Sequence, residues 1–157
     1  MKNFGKQYIV LNSVIDEKLH REISNLEQLC FEYDQVHLKL ELDFKLDMVK
    51  KDYVVANEFL VYDEELVGYL GIVTFDNKEL EICGMVHPDY RRQGVFTALY
   101  QTVVEEACRR EAKELLLVCD ADSESGLSFI KHLDVTYHHA EYDMYLNKDD
   151  FFSTQNT

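Results

Sequence analysis

The sequence lacks several features that would mark a membrane, secreted or linker-rich protein. Its 157 residues include no tryptophan and a single proline, and no apolar run approaches the roughly 18 residues that a membrane-spanning helix needs. The first residues lead into no long apolar segment of the kind found in a secretory signal. We therefore expect one cytoplasmic domain over residues 1–157, without membrane contact. Its core should cover about 6–146, with a polar tail over 149–157.

Cysteine is present, but in no arrangement that is typical of a zinc site. The four cysteines are Cys30, Cys83, Cys108 and Cys119, and no two of them have Cys-x-x-Cys spacing. No histidine spacing completes such a site, and three of the four thiols lie in apolar runs. We expect reduced, mostly buried thiols and no bound metal.

Positive charge is scarce in this chain. It has 16 Lys and Arg residues against 30 Asp and Glu residues, which gives a formal net charge of −14. A phosphate backbone would be repelled, so a nucleic-acid partner is not expected. The same charge is compatible with a cationic substrate such as an amine, although a charge of this sign more often serves only to keep a protein soluble. At 46% hydrophobic residues, the chain has enough apolar side chains for a sizeable core.

Apolar spacing predicts alternating strands and helices along the chain. Apolar residues at steps of three and four indicate the helices, and short apolar runs indicate the strands. Ser13 and Asp16 resemble a capping box at the start of the first helix. The predicted elements are a strand over 7–11, a helix over about 14–33, a hairpin over 57–62 and 66–75, a strand over 79–86, a helix from about 94, a strand over 115–119, a helix over about 123–133 capped by Asp122 or Ser123, and a strand over 136–146.

The stretch over residues 80–111 concentrates the chemically informative residues. It combines a buried strand, a loop and the start of a long helix, and a helix N-terminus favours an anion through its unpaired N–H groups and its dipole. Gly94 lacks a Cβ, so a phosphate can approach the main chain there, and Arg91 and Arg92 add positive charge. Gly84, inside the strand, predicts a bulge or a close backbone approach.

Residues 79–119 are predicted to form a parallel βαβ unit. A continuous apolar run that follows a crossover helix is typical of a buried parallel strand. The loop after the first strand then lies at a carboxyl end, where open α/β sheets usually bind ligands. The strands before this unit are joined by short turns, which predict antiparallel pairing.

One motif in this stretch resembles the acyl-CoA-binding signature of the GNAT superfamily of N-acetyltransferases. It reads Val86-His87-Pro88-Asp89-Tyr90-Arg91-Arg92-Gln93-Gly94-Val95-Phe96. The signature is Gln/Arg-x-x-Gly-x-Gly/Ala after a strand that ends in Val-x-Pro-x-x-Arg, and Phe96 stands where Gly or Ala is usual. The resemblance implies an α/β (α+β) fold with a mixed, mostly antiparallel sheet. It also implies a parallel βαβ unit at 79–119 and helices on both faces.

The resemblance also implies a reaction and its donor. An acetyl or other acyl group would pass from acetyl-CoA to a primary amine of a small molecule or a protein. A splay between the strands at 79–86 and 115–119 would admit the pantetheine arm of the cofactor. The implied cofactor contacts are the main chain of Met85 and Val86, the amides of Gln93, Gly94, Val95, Phe96 and Thr97, the side chain of Arg91 or Arg92 at the pyrophosphate, and the hydroxyl of Ser123.

Glu81 and Tyr142 are the candidate catalytic residues by the same resemblance. An alkyl amine has a pKa of about 10 and must lose a proton before it attacks, and Glu81 stands where many members place a base. Glu81 is equally well explained as a carboxylate that faces solvent or pairs with a lysine. Ile130 stands where many members have the tyrosine that protonates the leaving thiolate. Tyr142 is then the substitute, with Tyr137 behind it, and each of them also fits a simple packing role.

Two segments depart from the simplest interpretation. Residues 36–48 alternate strictly between apolar and polar, as a strand does, whereas the resemblance implies a helix or a loop beside the acceptor pocket. We expect an extended piece near 36–41, followed by a helical turn or two. The family normally has two strands after its last helix, and this chain has room for one long strand over 136–146. That difference predicts a shortened edge or a partner subunit in a homodimer.

Three functions stay open from the sequence. The leading one is an acetyl-CoA-dependent N-acetyltransferase, and the second is a non-catalytic acyl-CoA-binding or regulatory module. Phe96 and Ile130, where a small residue and Tyr are usual, favour the second. The third is a structural domain without a cofactor. The sequence does not identify the acceptor, because the segments that would contact it have the weakest patterns.

Overall fold

The computed structural model describes residues 4–47 and 55–133, which form a five-stranded sheet with helices on both faces. The strands lie side by side in chain order: β1 (Ile9–Asn12), β2 (Glu58–Asp63), β3 (Glu65–Val73), β4 (Glu79–Val86) and β5 (Glu114–Leu117). The helices are α1 (Glu17–Asp34), α2 (Leu42–Asp47), α3 (Val95–Arg109) and α4 (Glu124–Lys131). The first four strands pair antiparallel, and β5 runs parallel to β4. This architecture confirms the predicted fold class.

One face of the sheet packs against α3. Val95, Leu99 and Val103 recur at steps of four, so they form one apolar stripe that is fully buried. The sheet contributes the alternate residues of each strand, such as Leu70 and Ile82, to the same cluster. Burial of this stripe fixes α3, and with it the loop at its N-terminus, against β3 and β4.

The opposite face packs against α1 and α2. Leu19, Ile23, Leu26 and Cys30 form the buried stripe of α1, as their spacing predicted. The helix begins later than expected, because Asp16 rather than Ser13 is its N-cap, and the Asp16 carboxylate accepts from the Leu19 N–H at 2.8 Å. An N-cap side chain must lie outside the helix, which moves the first helical residue to Glu17.

Two local predictions near the sheet are resolved by its register. Gly84 pairs regularly with Leu70, so it marks a close approach and no bulge, since an added Cβ would lie 2.3 Å from the carbonyl oxygen of Tyr69. The irregularity lies instead between Val61 and Tyr62 in β2.

Residues 36–41 carry no strand, and α2 supplies the predicted helical turns after them. The last strand, predicted over 136–146, lies outside the described residues.

None of the helices in the described ranges is long and apolar enough to cross a membrane.

Candidate active site

A gap opens between β4 and β5 at the carboxyl end of the parallel pair. Their register runs from Glu79 to Ile82 on β4, and the last contact is the Val118 N–H bonded to the Ile82 carbonyl at 2.9 Å. β4 continues for four more residues to Val86, whereas β5 ends at Leu117. Among the described residues, the pairing of β4 with β5 therefore ends before the carboxyl end of β4, as the predicted splay requires.

The register decides which main-chain groups face this gap. In an antiparallel ladder, the N–H and C=O groups of successive residues point alternately to the two neighbouring strands. The His87 N–H bonds to the Val67 carbonyl of β3, so Met85, two residues earlier, also directs its main chain toward β3. The predicted main-chain contact from Met85 to a pantetheine arm therefore disagrees with the register. Gly84 and Val86 present their main chain to the gap.

The loop after β4 leads directly to the N-terminus of α3. Gly94 is the N-cap residue with a φ of 84°, a left-handed conformation that glycine adopts without a Cβ clash. No side chain within residues 4–47 and 55–133 caps this end, so the N–H groups of Val95, Phe96 and Thr97 lie where an anion would be stabilised. Arg92 is also left-handed, with a φ of 62°, and its side chain is exposed beside this end.

The side chain of Arg91 is held elsewhere. Its two terminal nitrogens donate to the two carboxylate oxygens of Asp34 at 2.7 and 2.6 Å, and its Nε donates to the Val86 carbonyl at 3.0 Å. Its guanidinium also lies 5.4 Å from the ring centroid of Tyr33. The pKa of Arg91 is raised, chiefly because Asp34 stabilises its charged form. Of the two predicted pyrophosphate arginines, only Arg92 has its side chain out in solvent.

Phe96 stands where the signature has Gly or Ala, and its large side chain packs against α4. The Phe96 ring packs edge-on against Phe129 at 4.7 Å between centroids, and Tyr100 contacts the same ring. The large side chain thus fills space between α3 and α4. Ser123 is the N-cap of α4, as predicted, and its hydroxyl accepts from the Gly126 N–H at 3.1 Å. Its role at a cofactor stays a prediction.

Glu81 lies on the α1 face of β4, at the edge of a small cavity. The cavity has a volume of about 10 Å³, which holds about one water molecule. It is lined by Lys39, Leu40, Gly71, Val73, Glu81, Ile82, Cys83 and Val118. The Glu81 carboxylate is about one-third exposed, and Lys39 Nζ lies 3.8 Å from it. Both interpretations of Glu81 therefore stay open. Its position beside a cavity fits a general base, and its position beside Lys39 fits a carboxylate paired with a lysine. Tyr142, the candidate acid, lies outside the described residues, as does Tyr137.

A buried polar triad next to this cavity was missed by the sequence prediction. Lys45 Nζ and the Tyr69 hydroxyl both donate to Glu58 Oε1 at 2.7 Å, and all three side chains are almost completely buried. The Cβ that Gly71 lacks would lie 2.1 Å from the Tyr69 oxygen, so the polar tips lie over the glycine that lines the cavity. The available signal was a glutamate at the start of β2, directly before its apolar run.

Glu58 is the member of the triad that is incompletely paired. Within the described part of the chain, its Oε2 is buried without a hydrogen-bond partner. Burial, followed by the nearby Glu58 carboxylate, raises the pKa of Tyr69 well above its ordinary value. The Tyr69 hydroxyl therefore stays protonated and acts as a donor over the whole physiological range.

A larger, acidic cleft lies between α1 and residues 38–44. Its volume is about 400 Å³, and its lining includes His20, Glu27 and Asp43. His20 and Asp43 close part of it with a contact of 2.9 Å between Nε2 and Oδ1. Burial and then the charge of Asp43 raise the pKa of Glu27. Leu40 lines both this cleft and the cavity at Glu81, so the two spaces adjoin.

These features fit acetyl-CoA as a bound donor. The gap presents the main chain of Gly84 and the N–H of Val86 to an extended arm, and the N-terminal end of α3 presents amides to a pyrophosphate. No cluster of three or more His, Cys, Asp or Glu side chains within residues 4–47 and 55–133 is arranged to hold a metal ion.

The chain belongs to the GNAT acetyltransferase family. A family model described as acetyltransferase (GNAT) family matches residues 20–134, which covers most of the chain and all of the candidate site on the described strands. Acetyltransferases of this family generally use acetyl-CoA as the donor. No curated protein matches the sequence.

Solved structures with this fold come from several acetyltransferases. A GCN5-related N-acetyltransferase from Sphaerobacter thermophilus has a TM-score of 0.63 at 20% identity over 82% of this chain, which spans 43% of that protein's length. The ribosomal-protein-S18-alanine N-acetyltransferase of Escherichia coli has a TM-score of 0.61 at 16% identity, covering 90% of this chain and 86% of its own. An aminoglycoside acetyltransferase from an uncultured soil sample, in complex with sisomicin, has a TM-score of 0.55 at 13% identity, with 90% and 97% covered. At these identities the likeness shows the fold.

Proposed function

We propose that this protein is an N-acetyltransferase that transfers an acetyl group from acetyl-CoA to a primary amine. The observation that carries the proposal is the gap between β4 and β5, which opens directly beside the uncapped N-terminus of α3. The end of β4 can pair through its main chain with an extended arm, and the start of α3 can bind a diphosphate through its amides. One short loop joins these two segments. Bound acetyl-CoA would supply the activated acetyl group.

Glu81 is the proposed general base for the acceptor. It borders a cavity that holds about one water, so it can take the ammonium proton directly or through that water. The adjoining cleft is acidic on the side of α1 and α2, and His20, Glu27 and Asp43 line it. Carboxylates there attract a cationic amine and are compatible with the net charge of −14. These two features support an alkyl amine as the acceptor class, on a small molecule or a protein.

The first experiment is a melting-temperature comparison with acetyl-CoA, CoA and ATP. A ligand that binds only the native state stabilises it by about 2.7 kcal/mol at one hundred times its dissociation constant. We expect both CoA species to raise the melting temperature and ATP, which lacks the pantetheine arm, to have a much smaller effect. No shift with either CoA species at millimolar concentration would reject the proposed donor site.

A non-catalytic acyl-CoA-binding module is the second candidate. Ile130, where the family often has the tyrosine acid, lies half-buried on α4 and offers no proton. A thiol-release assay with a panel of amines separates the two functions. CoA release above the hydrolysis background requires the enzyme, whereas tight CoA binding without release from any amine favours the module.

A further inference from the structure

The end of α1 is tied to the end of β4 by a compact set of contacts. Asp34 is the last residue of α1, and it binds the guanidinium of Arg91 through two parallel hydrogen bonds of 2.7 and 2.6 Å. Both side chains are about four-fifths buried. A bidentate arginine–carboxylate pair in such surroundings is strong and geometrically specific.

The same contacts fix the carbonyl of Val86, the last residue of β4. Arg91 Nε donates to it at 3.0 Å, and the thiol of Cys30, one turn before Asp34 on α1, donates to it at 3.5 Å. This carbonyl faces the gap between β4 and β5, and it already accepts two bonds from the protein. The orientation of the peptide groups at the rim of the gap therefore depends on Arg91 and α1.

A direct role for Arg91 at a pyrophosphate conflicts with this arrangement. To reach an anion at the start of α3, the guanidinium would have to leave both carboxylate oxygens and the Val86 carbonyl. Asp34 would then remain as a largely buried carboxylate without its partner, which is unfavourable. Arg92, next in the chain and exposed, can approach an anion without breaking these contacts.

We propose that Arg91 is a positioning residue rather than a pyrophosphate ligand. With Asp34 it clamps the end of α1 to the end of β4 and so sets the rim of the pantetheine gap. Because α1 also lines the acidic cleft with His20 and Glu27, the clamp couples the acceptor side to the donor side. The inference rests on the proposed function and specifies how its donor site is held.

The test compares the binding of CoA with that of pantetheine, which has the arm but no pyrophosphate. The variants are Arg91→Ala, Arg91→Lys, Asp34→Ala and the double variant Asp34→Ala/Arg91→Ala, with Arg92→Ala as the matched control. Dissociation constants are measured by calorimetry for CoA and by NMR titration for pantetheine. Melting temperatures are recorded alongside, so that binding is compared only between folded proteins.

The clamp predicts that each single variant weakens both ligands by a similar factor, about tenfold. The double variant should be no weaker than either single one, because both members serve one contact. Arg91→Lys should behave like Arg91→Ala, since lysine cannot form the bidentate pair. Arg92→Ala should weaken CoA and leave pantetheine unchanged.

Other outcomes overturn the clamp. If Arg91→Ala weakens CoA alone while Arg91→Lys keeps its affinity, Arg91 contacts the pyrophosphate as a charge. If melting temperatures fall but both dissociation constants stay the same, the pair only stabilises the fold. A wild-type protein that binds neither ligand rejects the proposed donor site itself. If the wild-type protein binds both ligands and the variants show either of the first two outcomes, the clamp is rejected and the donor site is retained.

Discussion

The two faces of the sheet differ in what they bury. Under α3 the sheet buries an apolar cluster centred on Leu99 and Val103. Under α1 and α2 it buries an apolar cluster of similar extent together with ionisable groups and two open spaces. Burial raises the pKa of five groups on the α1 side, Glu27, Cys30, Tyr62, Tyr69 and Cys83, and of Cys119 after β5. Titratable groups shifted by burial beside a cavity are typical of functional sites.

Each face of the sheet also contains one buried ion pair, and the two pairs differ in how completely their carboxylates are hydrogen-bonded. On the α3 side, the Glu106 carboxylate binds Arg109 and Arg110, and Arg110 also donates to the Ala56 carbonyl at 2.6 Å and to Asn77 at 3.2 Å. That pair ties the end of α3 to neighbouring segments. On the α1 side, Glu58 keeps one buried oxygen without a partner in the described part of the chain. The buried carboxylate on the α3 side is therefore paired at both oxygens, whereas the one on the α1 side is paired at one.

The largest expected effect comes from breaking the buried pair on the α1 side. Lys45→Met leaves Glu58 as a buried carboxylate without its counter-ion, and we expect the free energy of unfolding to fall by about 3–5 kcal/mol. Urea denaturation measures it. The control is Lys39→Met, in the same stretch, because Lys39 is partly exposed and 3.8 Å from Glu81, and its loss should cost less than about 1 kcal/mol. Equal losses in the two variants would contradict the role assigned to the triad.

The next largest effect is expected on turnover, when the proposed base on the α1 side is replaced. Glu81→Gln keeps the shape of the side chain but cannot take a proton, so turnover with an accepted amine should fall by at least about 100-fold. The dissociation constant of CoA should stay within about twofold, because the donor gap lies on the main chain of other residues. Steady-state kinetics and calorimetry give the two numbers. Unchanged turnover would remove Glu81 as the base and leave the fold and the donor site intact.

The sequence was most informative where one pattern decides one element. The strand over 79–86 was predicted with its observed bounds, and the helix after Gly94 follows from a stripe at steps of four. The donor loop was also accessible, because glycine and a helix start lie next to each other in the chain. Asp34, by contrast, is 57 residues from Arg91, and no local pattern shows that they meet.

Long-range contacts account for the other differences. Lys45, Glu58 and Tyr69 come from three elements, so their triad becomes visible only when α2 lies on the sheet. The family resemblance assigns the main chain of Met85 to the gap, yet the direction of its N–H and C=O depends on the register with β3. A motif fixes which residues stand near a site, and strand pairing decides which of them face it.

A smaller loss of stability is expected at the glycine of β4. Gly84→Ala places a Cβ 2.3 Å from the Tyr69 carbonyl, which is backbone and cannot move aside, so the free energy of unfolding should fall by about 1–3 kcal/mol. The matched control is Gly5→Ala, where the nearest atoms belong to the flexible end of Gln7. We also expect weaker CoA binding for Gly84→Ala alone, because the gap changes shape. Equal stability of both variants would mean that the two strands are less closely packed than the structure shows.

The smallest effect is a pH dependence to which the buried thiols of the α1 side should contribute most. The pKa values of Cys30 and Cys83 are raised from 9.0 to about 11, mainly by burial. Above pH 9 the unfolded chain loses these protons while the folded chain keeps them, so stability falls as the pH rises from about 9 to 11. The slope approaches about 1.4 kcal/mol per pH unit for each such thiol and is absent below pH 8.

Urea titrations at several alkaline pH values measure this slope. Cys83→Ala should remove about one thiol's share of it, whereas Cys108→Ser, at an exposed thiol on α3, should leave it unchanged. Tyr62 and Tyr69, whose pKa values are also raised by burial, begin to contribute to the slope above about pH 9, one unit below the ordinary tyrosine value. The range from about 8 to 9 therefore isolates the cysteines, Cys119 among them. If Cys108→Ser changes the slope as much as Cys83→Ala does, alkaline sensitivity is not confined to the α1 face. The contrast between the two faces of the sheet would then fail at its most direct electrostatic test.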